Sequence, residues 1–479
     1  MTAEPRRVLF VTGKLAEPAL RRTLAGMDAT FAWEVAVMKI TVAALMTTPW
    51  IARFLEVPSG TDLVLIPGLC EGDPAVIAET AGGGIAVEKG PQDLRQIPEY
   101  FGRAAAARTY GAYDIEIVAE VNNAPRLARD ALRREAEHYR ASGADMIDVG
   151  CTPGREFPEL GDVVHELVAA GARVSVDSFD PAEIRTAVGA GAVLVLSVNG
   201  SNLDVAREFA GTKTRVVVIP DFGQGIETLE PSITALERWG VSYLIDPVIE
   251  PIGFGFMRSL ERFAEVRRRY AGAPLFMGIG NLTELTAADT TGVHALLIAI
   301  CQELGVRAVL TTEVIPWARG AVREIDIARR LMYHAVTQQT LPKGVDDRLV
   351  TVKDPAILAY TEAELRELQR AVTDPNFRIF TDRDSITVFN SETFVRGTDI
   401  HEIFSRLGVE EATHAFYLGR ELMKARLAVT LGKTYRQEGA LQWGYLTPPD
   451  DRGPEHVKLT HPSARARSRA RRAKGGDRR

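Results

Sequence analysis

The chain has 479 residues, 57 Lys or Arg against 63 Asp or Glu, a net charge of −6 and 46% hydrophobic residues; that length suits about three globular domains. No apolar stretch approaches the ~20 residues that span a bilayer, and MTAEPRRVLF has no signal-peptide pattern. Cys70, Cys151 and Cys301 lie too far apart for a disulfide framework or a zinc site, so a cytoplasmic enzyme is expected.

Residues 1–108 read as a small α/β domain, with RRVLFVTG and TDLVLIPG as strands that end at glycine. Thr12-Gly13-Lys14 invites a phosphate-loop reading but lacks the earlier glycine, and Leu15 stands where Ser or Thr is needed. Gly68, Gly72 and Gly82 to Gly84 read as turn glycines with positive φ.

Between residues 109 and 340 eight short apolar runs alternate with segments of helical periodicity. They are IEIVAEV from Ile115, DMIDVG from Asp145, RVSVDS from Arg173, AVLVLSVNG from Ala192, RVVVIPD from Arg215, SYLID from Ser242, PLFMGIG from Pro274 and RAVLTTE from Arg307. Near-continuous hydrophobicity within each run argues for parallel strands buried on both faces. Helix starts are marked by Asp180-Pro181 and by Asn202 before Leu203, both read as N-caps. Eight such units predict a TIM (β/α)8 barrel, with a doubly wound open sheet as the competing architecture.

A polar side chain stands at or just after the end of every run: Asn122 and Asn123, Asp148, Asp177, Asn199, Asp221, Asp246, Asn281, and Thr312 with Glu313. A barrel interior filled by branched apolar residues needs none of them, and the carboxyl ends of the strands are where such barrels keep their sites.

Residues 346–446 follow a linker at Leu341-Pro342-Lys343 and read as an α+β domain. NFRIFTDRD, SITVFN and a turn at Gly397 suggest a small antiparallel sheet, followed by helices from Ile400 to Leu407 and from His414 to Leu431. His401 and His414 have no companion ligand cluster and read as ordinary histidines. Residues 447–479 form a basic tail expected to be disordered. From Ser463 onward it carries eight Lys or Arg and one Asp, which leaves a net charge of −13 on the remainder. Such an acidic body argues against nucleic acid as the main ligand.

Five motifs in order at successive strand ends resemble the pterin-binding barrel: GADMIDVGCTPG from Gly143, SVDSFDPAEIRTAVGAGA from Ser175, LSVNG from Leu196, LIDPVIEPIGFGF from Leu244 and MGIGNLTE from Met277. That superfamily includes dihydropteroate synthase and the folate-dependent corrinoid methyltransferases. With its VTGKLAEP opening and extra carboxyl-terminal domain, the whole chain looks like the dihydropteroate synthase-related family of archaea and C1-metabolising bacteria, which is associated with tetrahydromethanopterin. The resemblance implies a reduced pterin held by Asp177, Asn199, Asp246 and Asn281. A pterin presents an adjacent ring N–H and exocyclic amine, and one ionised carboxylate, placed by the resemblance at Asp246, accepts both.

Asn122, Asn123, Asp148, Thr152, Asp221 and Glu313 complete the expected catalytic or pocket set, with Asn122 as the residue that would help hold Mg²⁺. Arg155, Arg319 and Arg323 are expected to bind the phosphate of a ribosyl-phosphate arylamine. The implied reaction joins a dihydropterin to an arylamine, in a transferase of tetrahydromethanopterin biosynthesis; a homodimer is left open. The synthase's long loop after the first strand is missing, since VNNAPRLARDAL passes almost directly into a helix. Gly280-Asn281-Leu282 replaces its Ser-Arg-Lys, and Thr311-Thr312-Glu313 its final Arg and His. A pterin-dependent methyltransferase and a noncatalytic pterin-binding protein therefore stay open as alternatives.

Overall fold

In the computed structural model the described residues are 7–448 except 28, 83, 92–93, 103–109 and 358, and of residues 44, 95 and 99 only the backbone is described. The expected disordered tail thus lies, from residue 449 on, outside the described residues. The chain divides into two compact units, 1–346 and 347–479.

The first unit opens with a four-stranded parallel sheet of β1 (Arg7–Gly13), β2 (Ala32–Met38), β3 (Leu63–Ile66) and β4 (Ala86–Lys89), in the order β2-β1-β3-β4. Alternation along β1 and β3 explains the uninterrupted apolar runs. Val8, Phe10, Leu63 and Leu65 pack on one face with Leu20 and Leu24, and Leu9, Val11, Val64 and Ile66 pack on the other with Ile51 and Ile77. The glycines ending β1 and β3 are sites of close backbone approach. A Cβ on Gly13 would lie 2.9 Å from the Ala43 nitrogen, and one on Gly68 would meet the Gly90 carbonyl. Gly72, Gly82 and Gly84 have positive φ; Gly68 sits in a turn closed by the Cys70 N–H on the Pro67 carbonyl, but without positive φ.

The barrel follows. Its strands are β5 (Glu116–Val121), β6 (Met146–Gly150), β7 (Val174–Asp177), β8 (Leu194–Val198), β9 (Arg215–Val218), β10 (Ser242–Ile245), β11 (Leu275–Gly278) and β12 (Val306–Thr311). All pair in parallel, and the ring closes through β12 on β5, with Val309 opposite Ile117. The open-sheet alternative is excluded by that closure. The helix Pro181–Gly189 starts as read, because Asp180 accepts the Ala182 N–H at 2.7 Å. Asn202 does not cap: its side chain accepts the Asn199 N–H at 3.0 Å and donates to the Ser197 carbonyl at 3.1 Å, and a 3-10 helix, Leu203–Phe209, follows.

Lumen-facing apolar residues come from seven strands: Val118, Met146, Leu194, Leu196, Val217, Ile219, Leu244, Phe276 and Ala308. β7 contributes none, because its lumen positions are Ser175 and Asp177. The two-residue strand period then places Glu120 above Val118, Asp148 above Met146 and Asp246 beyond Leu244 on the same inner face. Beside the amino-terminal ends of β5 and β6 lies Arg329, 1% exposed, whose donors reach the carbonyls of Ile115 (2.7 Å) and Gly143 (3.0 Å), the carboxylate of Asp326 (2.8 Å) and Asp145. Its guanidinium stacks 3.5 Å from the Tyr113 ring centroid.

In the second unit β13 (Arg378–Thr381), β14 (Ile386–Phe389) and β15 (Phe394–Gly397) form an antiparallel sheet, so Gly397 ends a third strand rather than making a turn. Helices Ile400–Leu407 and Ala412–Leu431 cover it through Ile403, Leu407, Leu418 and Leu422. Helix Glu362–Ala371 escaped the sequence reading; Thr361 and Glu364 cap it reciprocally, a signal legible as T-x-x-E. The His414 ring packs 5.7 Å from Phe377, and His401 is exposed.

Candidate active site at the carboxyl-terminal mouth

Three lumen carboxylates meet where β5, β6 and β7 run side by side. One oxygen from each of Glu120, Asp148 and Asp177 lies within 4.8 Å of the others. Register sets this up, with Glu120 opposite Asp148 and Asp148 opposite Ser175. Asp148 is fully buried; its Oδ1 accepts the Ser175 hydroxyl at 2.6 Å, and its Oδ2 has no hydrogen-bond partner among the described residues. Glu120 needs Gly150 beside it, since a Cβ there would collide with Glu120 Oε1.

Burial and mutual repulsion act in one direction on these groups. Burial, and then the charges of Asp177 and Glu284, push Glu120 up to about 8. Asp148 is raised well above the ordinary carboxylate range by burial, Asp177 and Glu120, against the hydrogen bond from Ser175. Burial lifts Asp177 to about 6. Among the described residues no Lys, Arg or His pairs with any of the three.

Asp246 lies farther round the ring, just past β10. Its Oδ1 accepts the Val248 N–H at 2.8 Å, and burial raises it to about 7 against that bond and the nearby Arg262. Val248 adopts φ 65°, rare for a β-branched residue, and its carbonyl is gripped by Arg262 at 2.6 Å. The loop that presents Asp246 is therefore braced in a strained conformation. Asn199, 1% exposed, follows β8; its Oδ1 takes the Ser201 N–H (3.0 Å) and hydroxyl (2.7 Å), and its NH₂ donates to no described residue.

The remaining expected residues divide. At the ends of β5 and β6, Asn122 donates to Glu120 at 3.2 Å, Asn123 donates to the Asn122 oxygen, and Thr152 donates to Asn123 at 3.4 Å. The Asn122 oxygen accepts that one donor, and its NH₂ positions Glu120. Asn281 is exposed beside Gly278, and a Cβ on Gly278 would stand 3.7 Å from its Nδ2. Asp221 accepts the Gly200 N–H at 2.7 Å and ties two loops together.

Glu313 turns out of the lumen. It accepts the Val322 N–H at 3.1 Å, at the start of helix Ala321–Thr337, and meets His138 at 3.1 Å, so it caps a helix rather than lining a pocket. Arg323 lies in the first turn of the same helix. It pairs at 3.6 Å with Asp326, whose carboxylate packs against Gly143 in the connection leading into β6, on the amino-terminal side. Arg155 and Arg319 are exposed in the loops after β6 and β12.

Glu120 and Glu284 escaped the sequence reading. Glu284 accepts the Thr312 hydroxyl at 2.6 Å. The missed signal for Glu120 was a second charged residue, after Glu116, at an alternate position of a largely apolar run. Around the mouth stand large exposed apolar side chains, Phe179, Phe222, Ile252, Phe254, Leu285 and Trp317, with the rings of Phe179 and Phe222 5.1 Å apart.

A family described as "Family of unknown function (DUF6513)" matches residues 6–92, and one described as PterinBD-DUF4346 matches residues 376–438. "Uncharacterized protein MJ0107" of Methanocaldococcus jannaschii is 29% identical over 91% of this chain and 99% of its own length. Among solved structures, the dihydropteroate synthase from Xanthomonas albilineans in complex with 7,8-dihydropteroate covers 47% of this chain and 93% of its own, at 24% identity and a TM-score of 0.36. The Burkholderia cenocepacia dihydropteroate synthase complexed with 7,8-dihydropteroate covers 47% and 92%, at 21% identity and a TM-score of 0.36.

Proposed function

We propose that the barrel binds a reduced pterin at its carboxyl-terminal mouth and that the chain is a dihydropteroate synthase-like transferase of tetrahydromethanopterin biosynthesis, joining a dihydropterin to an arylamine. The observation that carries this reading is Asp246. It is a nearly buried carboxylate at a lumen position, held by one backbone N–H and ion-paired with no Lys or Arg among the described residues. Such a group suits the paired N–H donors of a pterin's pyrimidinone edge. Asn199 adds an NH₂ for a ring nitrogen, Asp177 a further acceptor, and the apolar rim around Phe179 and Phe222 suits a flat heteroaromatic body. The family named PterinBD-DUF4346 matches residues 376–438, in the second unit rather than in the barrel. In this reading Arg155 and Arg319, exposed in the loops after β6 and β12, bind a phosphate on the arylamine.

Titration of the protein with a dihydropterin or tetrahydromethanopterin tests the reading. Asp246→Asn is expected to weaken binding by roughly 2 kcal/mol or more, the scale of a charge-assisted pair; equal affinity in the variant rejects the assignment. A noncatalytic pterin-binding protein is the second reading. It is favoured by the single short turn Ala124–Arg126 between β5 and the helix Arg129–Ser142, where a synthase needs a long loop. Incubation with dihydropterin diphosphate and either aminobenzoate or its ribosyl-phosphate derivative, followed by product analysis, separates the two, and a methylated product from a methyl-pterin points to methyl transfer.

A further inference from the structure

We propose that Glu120, Asp148 and Asp177 bind one hard divalent cation, Mg²⁺ or Mn²⁺, at the floor of the barrel mouth. The three supply an all-oxygen carboxyl donor set within 4.8 Å, the chemistry such ions select over nitrogen- and sulfur-seeking metals. An independent observation points the same way. Asp148 is 0% exposed, its Oδ1 is satisfied by Ser175, and its Oδ2 is buried with no hydrogen-bond partner among the described residues. A buried carboxylate oxygen left unmade is costly, and a cation between the three groups completes it. No basic side chain among the described residues takes that place.

The surroundings hold the ligands for this task. Ser175 fixes the buried end of Asp148, and Asn122 directs its NH₂ at Glu120 Oε1. Gly150 leaves the space into which Glu120 reaches. Glu120 and Asp177 are only partly enclosed, so an ion held there keeps open coordination positions toward the mouth for water or an anionic group of a ligand. The site stands on these residues alone and does not depend on the pterin assignment.

The test uses the full chain, stripped with a chelator, desalted and titrated with Mn²⁺ while free Mn²⁺ is followed by electron paramagnetic resonance, in the absence of any pterin. One equivalent should be taken up, displaced by Mg²⁺, and should raise the melting temperature. Asp148→Asn should weaken uptake about tenfold or more, the scale of losing a metal contact, and should abolish the Mn²⁺-dependent rise in melting temperature. Glu120→Gln, at a less enclosed position, gives a second reading should Asp148→Asn fail to fold. Absence of saturable uptake at about millimolar Mn²⁺, the weak end of protein sites for hard divalent ions, overturns the proposal, as does unchanged uptake in the folded variants. Asp246→Asn should leave Mn²⁺ uptake intact, so loss of pterin binding and loss of cation binding report separately.

Discussion

Asp246 carries a consequence for pH. Its folded value of about 7 lies above the ordinary 3.8 because burial disfavours the charged form. The native state therefore holds this proton more tightly than the unfolded chain; its contribution to stability is full below about pH 4 and is lost as pH rises through 7. Asp246→Asn removes that loss, so the melting temperature of the variant relative to wild type should climb between pH 5 and 8; a constant difference across that range contradicts the burial argument. Pterin affinity should run the opposite way and strengthen as pH rises through 7, because only the ionised carboxylate accepts two N–H groups. Gly150 sets a second constraint at this scale. A Cβ there meets the far end of Glu120, a flexible side chain, and lies 3.3 Å from the Val121 carbonyl. Gly150→Ala should therefore fold with a small change in melting temperature but lose Mn²⁺ uptake by displacing Glu120; uptake equal to wild type would show that Glu120 is no ligand.

The ends of the barrel strands are built for opposite purposes. At the amino-terminal end Arg329 is saturated by two carbonyls and the carboxylates of Asp326 and Asp145, with Arg330 sharing Asp326 at 2.8 Å. Removing one partner from such a buried set leaves uncompensated charge, and Arg329→Ala should cost about 3–5 kcal/mol in urea unfolding. A loss below about 1 kcal/mol, the worth of an exposed pair, would mean that water reaches this end. At the carboxyl-terminal end no Lys, Arg or His among the described residues pairs with Glu120, Asp148, Asp177 or Asp246. Stability is concentrated at one end and unmet electrostatic demand at the other, the division expected of a barrel whose site lies at its strand ends. Glu313 sits in the loop after β12, yet it serves the helix that follows rather than the mouth.

Each of the two units has a core of its own. The first holds the clusters about Val8 and Leu9 and the barrel lumen, and the second the cluster about Val388, Leu418 and Leu422. Two buried charged groups organise the second. Lys433 donates to the Thr351 carbonyl at 2.9 Å, and Glu421 accepts from Lys424 (2.9 Å) and Tyr435 (2.7 Å). Residues 1–346 expressed alone should therefore fold and retain Mn²⁺ uptake, since every proposed ligand and its supports lie within that unit. Loss of native circular dichroism in this fragment would show that the carboxyl-terminal unit is needed for folding.

Strand count, strand-end chemistry and the positions of Asp148, Asp177, Asn199 and Asp246 were legible in the sequence. A strand buried on both faces must be an apolar run, so a polar residue at its end stands out. Neither the company each residue keeps nor the direction it faces could be read in the same way. Glu120 lies inside the run IEIVAEV, and only the pairing of β5 with β6 and the pleat that turns it inward set it beside Asp148. Glu313 follows the same strand-end rule as Asp177, yet it points outward to cap a helix. Local sequence determined which segments are strands, through burial and propensity. Register between the neighbouring strands β5, β6 and β7 decided which carboxylates share one space, because each pairing is set by packing on both faces of the strands within the closed ring.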